Sequence, residues 1–259
     1  MTTLSDTSTW LPLDGLAPGF DANKAPAVGD LHGRVLVLHD DEGGPDRTAR
    51  FTGTRVAWDG ATDRCETFLV DDGLYYVQFH PSARPREAVS LFLDLRDGRA
   101  LVVTTTIGDA GTPRVTQEFR PATIDGHEVR GEPMAPSTAL IGRRVLWVYS
   151  REHAYEHVYL SPHWYTWQCL AGPERGLADT DENTVYRIRP GIHVFTWREK
   201  VIPCASVTIA DHRDARALRS HGVLFGLDGA ERPTHFTFGA YGRLLSTTVH
   251  PAEFDPAES

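Results

Sequence analysis

The sequence predicts an all-β protein built as two tandem antiparallel β-barrels that arose from an internal duplication. Three observations support this fold class. Short runs rich in Val, Ile, Thr, Phe, Tyr and Trp alternate with turns that draw on 23 Gly and 17 Pro. No long window repeats apolar residues with the 3.6-residue period of a helix. Finally, one set of motifs occurs twice at a fixed spacing.

The strand pattern is clearest in two segments of the first copy. Leu74–Phe79 and Val89–Leu95 place apolar side chains at alternate positions, as expected for strands with one buried face. Closing such strands into a small barrel removes exposed sheet edges. The strands predicted in the first copy are 33–39, 50–58, 65–71, 74–80, 88–95, 100–107 and 114–119.

The repeat indicates two copies of one domain, because its period is far too long for a solenoid unit. Upstream of the best-matched motifs, residues 31–36 resemble residues 141–146 at a shorter spacing. The second copy is therefore predicted to carry an insertion. The matching motifs are Thr62-Asp63, Gly73 and Ile107-Gly108, which recur 118 positions later as Thr180-Asp181, Gly191 and Phe225-Gly226.

These motifs set the predicted domain boundaries. A Gly- and Pro-containing stretch after the first copy is the natural linker. The first barrel is expected to be structural and the second to hold the ligand or active site. The predicted divisions are a peripheral segment (1–30), the N-terminal barrel (31–120), a linker (121–138), the C-terminal barrel (139–250) and a tail (251–259).

Composition and charge limit the classes of partner. The chain has 26 Lys and Arg against 35 Asp and Glu, a formal net charge of −9, whereas nucleic-acid binding needs a basic surface. No apolar run is long enough for a transmembrane helix, and the N-terminus lacks the layout of a secretory signal. Three scattered cysteines do not form a disulfide framework. We therefore expect a cytoplasmic protein that binds neither nucleic acid nor membrane.

The second copy carries an acid that the first copy lacks. In the strand after Gly191, His193, Phe195, Trp197 and Glu199 alternate onto one face. The first copy has Pro81 at the position of the acid. Because burying an ionised carboxylate is costly, Glu199 is expected either to be paired or to have a raised pKa.

Aromatic residues also concentrate in the second copy. Trp147 and Tyr149 share one face of a predicted strand, where the first copy has Leu38 and Asp40. A barrel lined by rings and a few polar groups is typical of a pocket for a planar ligand. Further aromatic and histidine residues follow in the same half, namely Tyr155, His157, Tyr159, Trp164, Trp167 and His221.

At these residues the sequence resembles a known family. The segments around YEHVYL, WYTWQCLAGPERGLADTD, FTWREK and HGVLFG look like those of the molybdenum cofactor biosynthesis protein F family. The resemblance covers the whole chain. It implies two tandem calycin-like, or lipocalin-like, barrels, one in each half.

The second half alone is similar in pattern to the bacterial phenolic acid decarboxylases, which implies a cofactor-free enzyme. Their tyrosine pair falls on Trp147 and Tyr149, their catalytic glutamate on Glu199 and their catalytic arginine on Arg175. Their His-Gly strand matches the segment that begins at His221. Trp147 lacks the hydroxyl that could bond a substrate carboxylate, so the resemblance does not single out decarboxylation.

A metal site is not predicted. His153 and His157 are four residues apart, but no HExxH or CxxC motif accompanies them. Cys169 has no evident activating base, which favours inert burial. Phosphate-binding and dinucleotide-binding glycine motifs and the nucleophile elbow of hydrolases are also missing from the sequence.

The leading hypothesis is therefore a cofactor-independent lyase or isomerase acting on a small aromatic or conjugated molecule. Decarboxylation, hydration, isomerisation and cyclisation all fit. The alternatives are a lipocalin-like carrier without turnover and a scaffold for a partner. The sequence leaves the oligomeric state open, with a homodimer as one option. The predicted catalytic residues are Glu199, Tyr149 and Arg175, and the predicted substrate-binding residues are Trp147, Tyr155, His157, Tyr159, Trp167, His193, Trp197 and His221.

Overall fold

The computed structural model describes residues 10–258 of the chain. They divide into two compact units. The first unit comprises residues 25–108 and 116–135. The second comprises the described residues up to Lys24, the loop 109–115 and the chain from Pro136 onward.

The first unit is a closed barrel of eight antiparallel strands. The segment predicted as one strand, 50–58, is two strands, because Gly53 turns the chain with a positive φ of 59°. The strands are β1 (Val35–Asp40), β2 (Arg47–Thr52), β3 (Arg55–Trp58), β4 (Ala61–Asp71), β5 (Leu74–Phe79), β6 (Glu87–Asp94), β7 (Arg99–Ile107) and β8 (Val115–Ile124).

The second unit repeats this strand order. Pairing of its third and fourth strands, Trp164 opposite Glu182, closes the barrel. The two-residue strand β9 (Ala135–Pro136) precedes it. The barrel strands are β10 (Arg143–Val148), β11 (Ala154–Tyr159), β12 (Trp164–Ala171), β13 (Ala178–Arg189), β14 (Ile192–Arg198), β15 (Cys204–Asp211), β16 (Leu218–Leu227) and β17 (Pro233–Thr247). Two closed antiparallel barrels in tandem confirm the predicted fold class.

The insertion lies at the β12–β13 hairpin. Strand β12 has eight residues, whereas its counterpart β3 has four. The two-residue turn that follows β3 is replaced by the loop 172–177. Gly172 and Gly176 allow this loop to turn, with φ values of 128° and 94°. The lengthened hairpin adds backbone at one end of the second barrel.

The segment 1–30, which the sequence predicts to be peripheral, contributes residues 13–20 to the core of the second barrel, whereas residues 1–9 lie outside the described part of the chain. Residues 10–258 contain one short α-helix, α1 (Leu13–Leu16). Two 3₁₀ turns, 252–254 and 256–258, end the described chain. Leu13, Leu16 and Phe20 are buried in the same core as the second barrel. Burial of each such side chain contributes about 1.5–3 kcal/mol, which explains why the segment is held against the barrel.

Each barrel has its own apolar core, formed by the side chains that alternate to its inner face. In the first barrel, residues such as Leu38, Val77, Phe79 and Leu91 fill the interior. No helix of the described residues is long and apolar enough to cross a membrane.

A candidate active site in the C-terminal barrel

A small cavity of about 40 Å³ lies inside the second barrel. A buried water needs roughly 10–15 Å³ of such volume, so the cavity has room for a few water molecules. Rings and two carboxyl groups form most of its wall. The lining residues are Leu16, Phe20, Tyr149, Tyr155, His157, Tyr165, Trp167, Glu174, Trp197, Glu199, Leu224 and Phe238.

Strand alternation explains why these side chains converge. On β11, Tyr155 and His157 face inward, and on β12 Tyr165 and Trp167 do the same. Glu199 directly follows β14, so it lies at the end of a strand whose inner face carries Trp197. The cavity is therefore near one end of the barrel.

Glu199 is the buried acid that the sequence predicts. Its side chain accepts a hydrogen bond of 3.3 Å from Trp197 Nε1. Burial, followed by repulsion from Asp181 and Glu174, raises the pKa of Glu199 well above its ordinary range, and the Trp197 hydrogen bond opposes this only in part. Burial and the neighbouring acids therefore favour the protonated form of this carboxyl group relative to that of an exposed glutamate.

A second carboxyl group, that of Glu174, also lines the cavity. Tyr155 donates a 3.0 Å hydrogen bond to Glu174 Oε2. Glu174 Oε1 is buried and receives no hydrogen bond of ordinary length and angle from the described residues. Burial raises the pKa of Glu174, while Tyr155 and, more weakly, the backbone N–H of Leu11 lower it. The cavity thus holds an acid pair in two different environments.

Sequence reasoning missed Glu174 and selected its neighbour Arg175. Glu174 is 4% exposed, whereas Arg175 is exposed on the loop and does not line the cavity. The signal that points to Glu174 is the insertion itself, because the added hairpin exists in the barrel that has the acid and not in the other. Arg175 has no part in the observed cavity.

A third acid, Asp181, lies behind the cavity. It accepts a 2.9 Å hydrogen bond from Trp167 Nε1, and Lys200 Nζ lies 3.4 Å from it. Burial raises the pKa of Asp181, and Trp167 and Lys200 lower it. Asp181 therefore orients Trp167 and acts on Glu199 through charge.

Tyr149 and His157, which the sequence also predicts as site residues, line the cavity as well. Tyr149 is fully buried, and burial raises the pKa of its hydroxyl. Burial also lowers the pKa of His157 to about 3, so this ring is neutral at physiological pH. His157 Nδ1 has no hydrogen-bond partner among the described residues. His157 therefore offers an uncharged donor or acceptor beside the rings.

Four other predicted residues do not line the cavity. Trp147, Tyr159 and His193 face the barrel interior but form a separate cluster around His212, with His193 and His212 ring centroids 6.0 Å apart. His221 lies on the face of β16 opposite to inward Leu224, because the two positions differ by an odd number. The prediction that these four residues join the ligand site is not supported by the geometry.

The described residues contain no group of three or more His, Cys, Asp or Glu side chains arranged to hold a metal ion. The three cysteines are free and buried. The polar groups that the site has for acting on a ligand therefore include the carboxyl groups of Glu174 and Glu199. They also include the hydroxyl groups and the imidazole of Tyr149, Tyr155, Tyr165 and His157.

Sequence comparison assigns both halves of the chain. Residues 8–109 match the MoaF N-terminal domain, and residues 134–248 match the MoaF C-terminal domain. The chain belongs to the MoaF family. It is 28% identical to the protein MoaF of Klebsiella aerogenes over 229 residues, which cover 83% of this chain and 82% of that protein. The family resemblance predicted from the motifs is confirmed.

Solved structures add little to the MoaF assignment. A protein of unknown function from the DUF3598 family of Nostoc punctiforme is 11% identical, with a TM-score of 0.32, over 81% of this chain and 93% of that one. A Burkholderia vietnamiensis structure is 13% identical, with a TM-score of 0.33, over 41% of this chain and 95% of that one. Likenesses at this level carry no argument. The MoaF domain names specify no reaction.

Proposed function

We propose that the C-terminal barrel is a cofactor-independent active site that moves a proton to or from carbon in a small aromatic or conjugated molecule. The observation that carries this proposal is the buried Glu199, which lines a cavity walled by rings and whose pKa is raised by burial and by neighbouring acids. A carboxylic acid whose pKa is raised toward neutral pH is well suited to general acid–base catalysis.

The second carboxyl group, that of Glu174, can accept a proton from the substrate. Glu174 has a hydrogen bond from Tyr155 that favours its ionised form, whereas Glu199 is repelled by both Asp181 and Glu174. Environments that separate the pKa values of two acids assign them different roles. In this proposal Glu199 donates a proton and Glu174 accepts one.

The walls favour an uncharged ring. Tyr149, Trp167 and Trp197 offer faces and edges for stacking. Among the described residues, no Lys or Arg lines the cavity. A substrate carboxylate would therefore lack a cationic partner, which makes decarboxylation the least supported of the four reactions. Isomerisation, hydration and cyclisation of a neutral conjugated molecule remain.

Deuterium incorporation tests the proposal without knowledge of the natural substrate. The chain is incubated in D₂O with a panel of phenols, phenolic acids and arylamines, and exchange at carbon is followed by NMR. Binding is measured by quenching of tryptophan fluorescence. We expect saturable binding and exchange for some members of the panel. Glu199→Gln should lower the exchange rate at least about 100-fold and leave affinity nearly unchanged.

The matched control is Glu182→Gln, because Glu182 on β13 is partly exposed and pairs with Arg198 at 3.4 Å. This variant should retain both binding and exchange. Binding without exchange in the unmodified protein would instead support the lipocalin-like carrier. If no member of the panel binds, the ring-binding pocket itself is wrong.

A further inference from the structure

We propose that the N-terminal strap, defined as residues 10–20, is a movable wall of the pocket and that Leu16 and Phe20 set the size of the ring system it admits. This inference rests on the proposed function, because it concerns access of the same ligand to the same cavity. It also assigns a role to a segment that the sequence pattern suggests is peripheral.

The cavity in this structure is too small for an aromatic ring. The cavity measures about 40 Å³, whereas an engineered cavity that binds benzene measures roughly 150 Å³. A ring therefore fits only when part of the wall moves. Leu16 and Phe20 contribute two of the lining side chains from outside the barrel. The remaining lining residues belong to the barrel strands, their ends or the loop 172–177.

Side-chain contacts hold the strap against the barrel. Ring contacts fix its two ends: Trp10 lies edge-on to Trp167 at 5.4 Å, and Phe20 contacts Tyr149 at 4.8 Å. Between them, Gly229 N–H donates a 3.1 Å hydrogen bond to Asp14 Oδ1. The strands of the barrel wall, by contrast, are joined by continuous ladders of backbone hydrogen bonds. Lifting the strap breaks fewer of these bonds than opening any pair of strands.

The chain just after the strap is an anchor. Asn23 N–H donates to the Tyr149 carbonyl at 3.2 Å, and Asn23 Nδ2 donates to the Val148 carbonyl at 2.9 Å. Gly19, with a φ of 90°, turns the chain near the end of the strap, ahead of this anchor. The strap can therefore swing about Asn23, which stays bonded to the carbonyl groups of Val148 and Tyr149.

Closure also completes the acid site. The strap brings the backbone N–H of Leu11 toward Glu174, where it favours the ionised form of this carboxyl group. Phe20 covers Tyr155, the hydrogen-bond donor of Glu174, with ring centroids 5.8 Å apart. An open strap admits the ligand, and a closed strap restores the environment of the acid pair.

Two leucines of α1 provide a matched test. Leu13 and Leu16 are both buried in the same core, but only Leu16 lines the cavity. Phenol and 2-naphthol serve as small and large ring probes. Leu16→Ala should raise the affinity for 2-naphthol relative to phenol at least about tenfold over the unmodified chain, a difference of 1.4 kcal/mol. Leu13→Ala should leave this ratio within about twofold.

A reversible cross-link tests movement. Gly229 has room for a Cβ atom, which would lie 4.0 Å from Asp14 Oδ1, so Asp14→Cys with Gly229→Cys should tie the strap to the barrel when oxidised. We expect oxidation to slow association of phenol at least about tenfold and reduction to restore it. Equal rates in both states, or equal selectivity of the two leucine variants, would overturn the inference.

Hydrogen exchange separates failure of this inference from failure of the proposed function. In the ligand-free chain, amides of residues 13–20 should exchange at least about a hundredfold faster than those of β14. Exchange of the strap together with β14 overturns the movable wall whatever the ligand. Fast strap exchange with no binding of either probe overturns the proposed function and leaves the movable wall standing.

Discussion

The two barrels share a strand order but differ in what fills them. In the first, Phe79 and Val77 on β5 pack with other apolar side chains, and Pro81 follows the strand. In the second, the corresponding positions on β14 are Trp197 and Phe195, and the acid Glu199 follows. The first barrel has an apolar core, and the second contains titratable groups beside a cavity. A duplicated fold can thus keep one copy optimised for stability while the other accepts the cost of a site.

The largest expected effect tests whether the first barrel is solid. Phe79 is 1% exposed, so Phe79→Ala should leave a cavity and lower the free energy of unfolding of the first unit by about 3–5 kcal/mol. Urea unfolding followed by hydrogen-exchange mass spectrometry reads each unit separately. Leu69→Ala on the neighbouring strand β4 is the control, because Leu69 is 44% exposed and its loss should cost less than about 0.5 kcal/mol.

The second-largest effect on stability is expected from placing an acid at Pro81, the position that corresponds to Glu199. Pro81 is buried, so Pro81→Glu places a carboxyl group in the first barrel without the partners that Glu199 has. We expect a loss of about 2–3 kcal/mol in the first unit. Glu199→Gln, in contrast, should leave the second unit as stable or up to about 1 kcal/mol more stable. If Pro81→Glu leaves the free energy of unfolding of the first unit unchanged, the two barrel interiors differ little in their tolerance of a buried acid.

Acid should destabilise the second unit more than the first. Burial lowers the pKa of His157, His212 and His221 to about 3 and that of His193 to about 4. The unfolded chain therefore binds these protons first, and stability that is complete above about pH 6.5 is lost as the pH falls toward 3.

The raised pKa of Glu199 acts in the opposite direction, since it removes stability as the pH rises above about 4.5. Between these limits the two effects partly cancel, and below about pH 4 only the histidines act. In the first unit, His39 is partly exposed and Asp46 raises its pKa. Unfolding of each unit at pH 7 and pH 4 should show a loss of at least about 2 kcal/mol in the second unit, reduced in His157→Phe. Equal losses in both units would contradict the comparison.

The smallest effects concern two indole N–H groups. Trp197→Phe removes the hydrogen bond to Glu199, so the pKa of Glu199 should rise further by about half a unit. Trp167→Phe removes the bond to Asp181. Asp181 is then more often neutral and repels Glu199 less, so the pKa of Glu199 should fall. The midpoint of the pH–rate profile for deuterium incorporation should move in opposite directions, and parallel shifts would remove Glu199 as the titrating group.

The sequence predicts the fold well because alternation and a long repeat are local and visible. Alternation also identifies the inward face that carries Trp197 and Glu199. It does not give depth along the barrel: His193 shares the face of Glu199, but at about 3.3 Å per residue the two lie roughly 20 Å apart. This is why Trp147, Tyr159 and His193 fall in a different cluster from Tyr149 and Glu199.

The remaining misses depend on contacts between distant segments. Glu174 and Arg175 are adjacent in a loop, and only the folded hairpin determines which side chain turns inward. Leu16 and Phe20 lie more than 100 residues before the barrel that they cover. No local period reports such a contact, because the apolar residues of a short segment fit any exposed apolar opening.

The loop 172–177, which carries Glu174, lies beyond the last backbone pair that joins β12 to β13 and forms an overhang at the end of the barrel. Substitutions on such an overhang leave the closure of the cylinder intact, whereas changes on β14 disturb backbone pairs on both sides. Substitutions in the loop 172–177 are therefore expected to cost less stability than substitutions on β14. Divergence in chemical preference among tandem-barrel proteins of this kind is expected to begin at the overhang, with the cylinder beneath it retained.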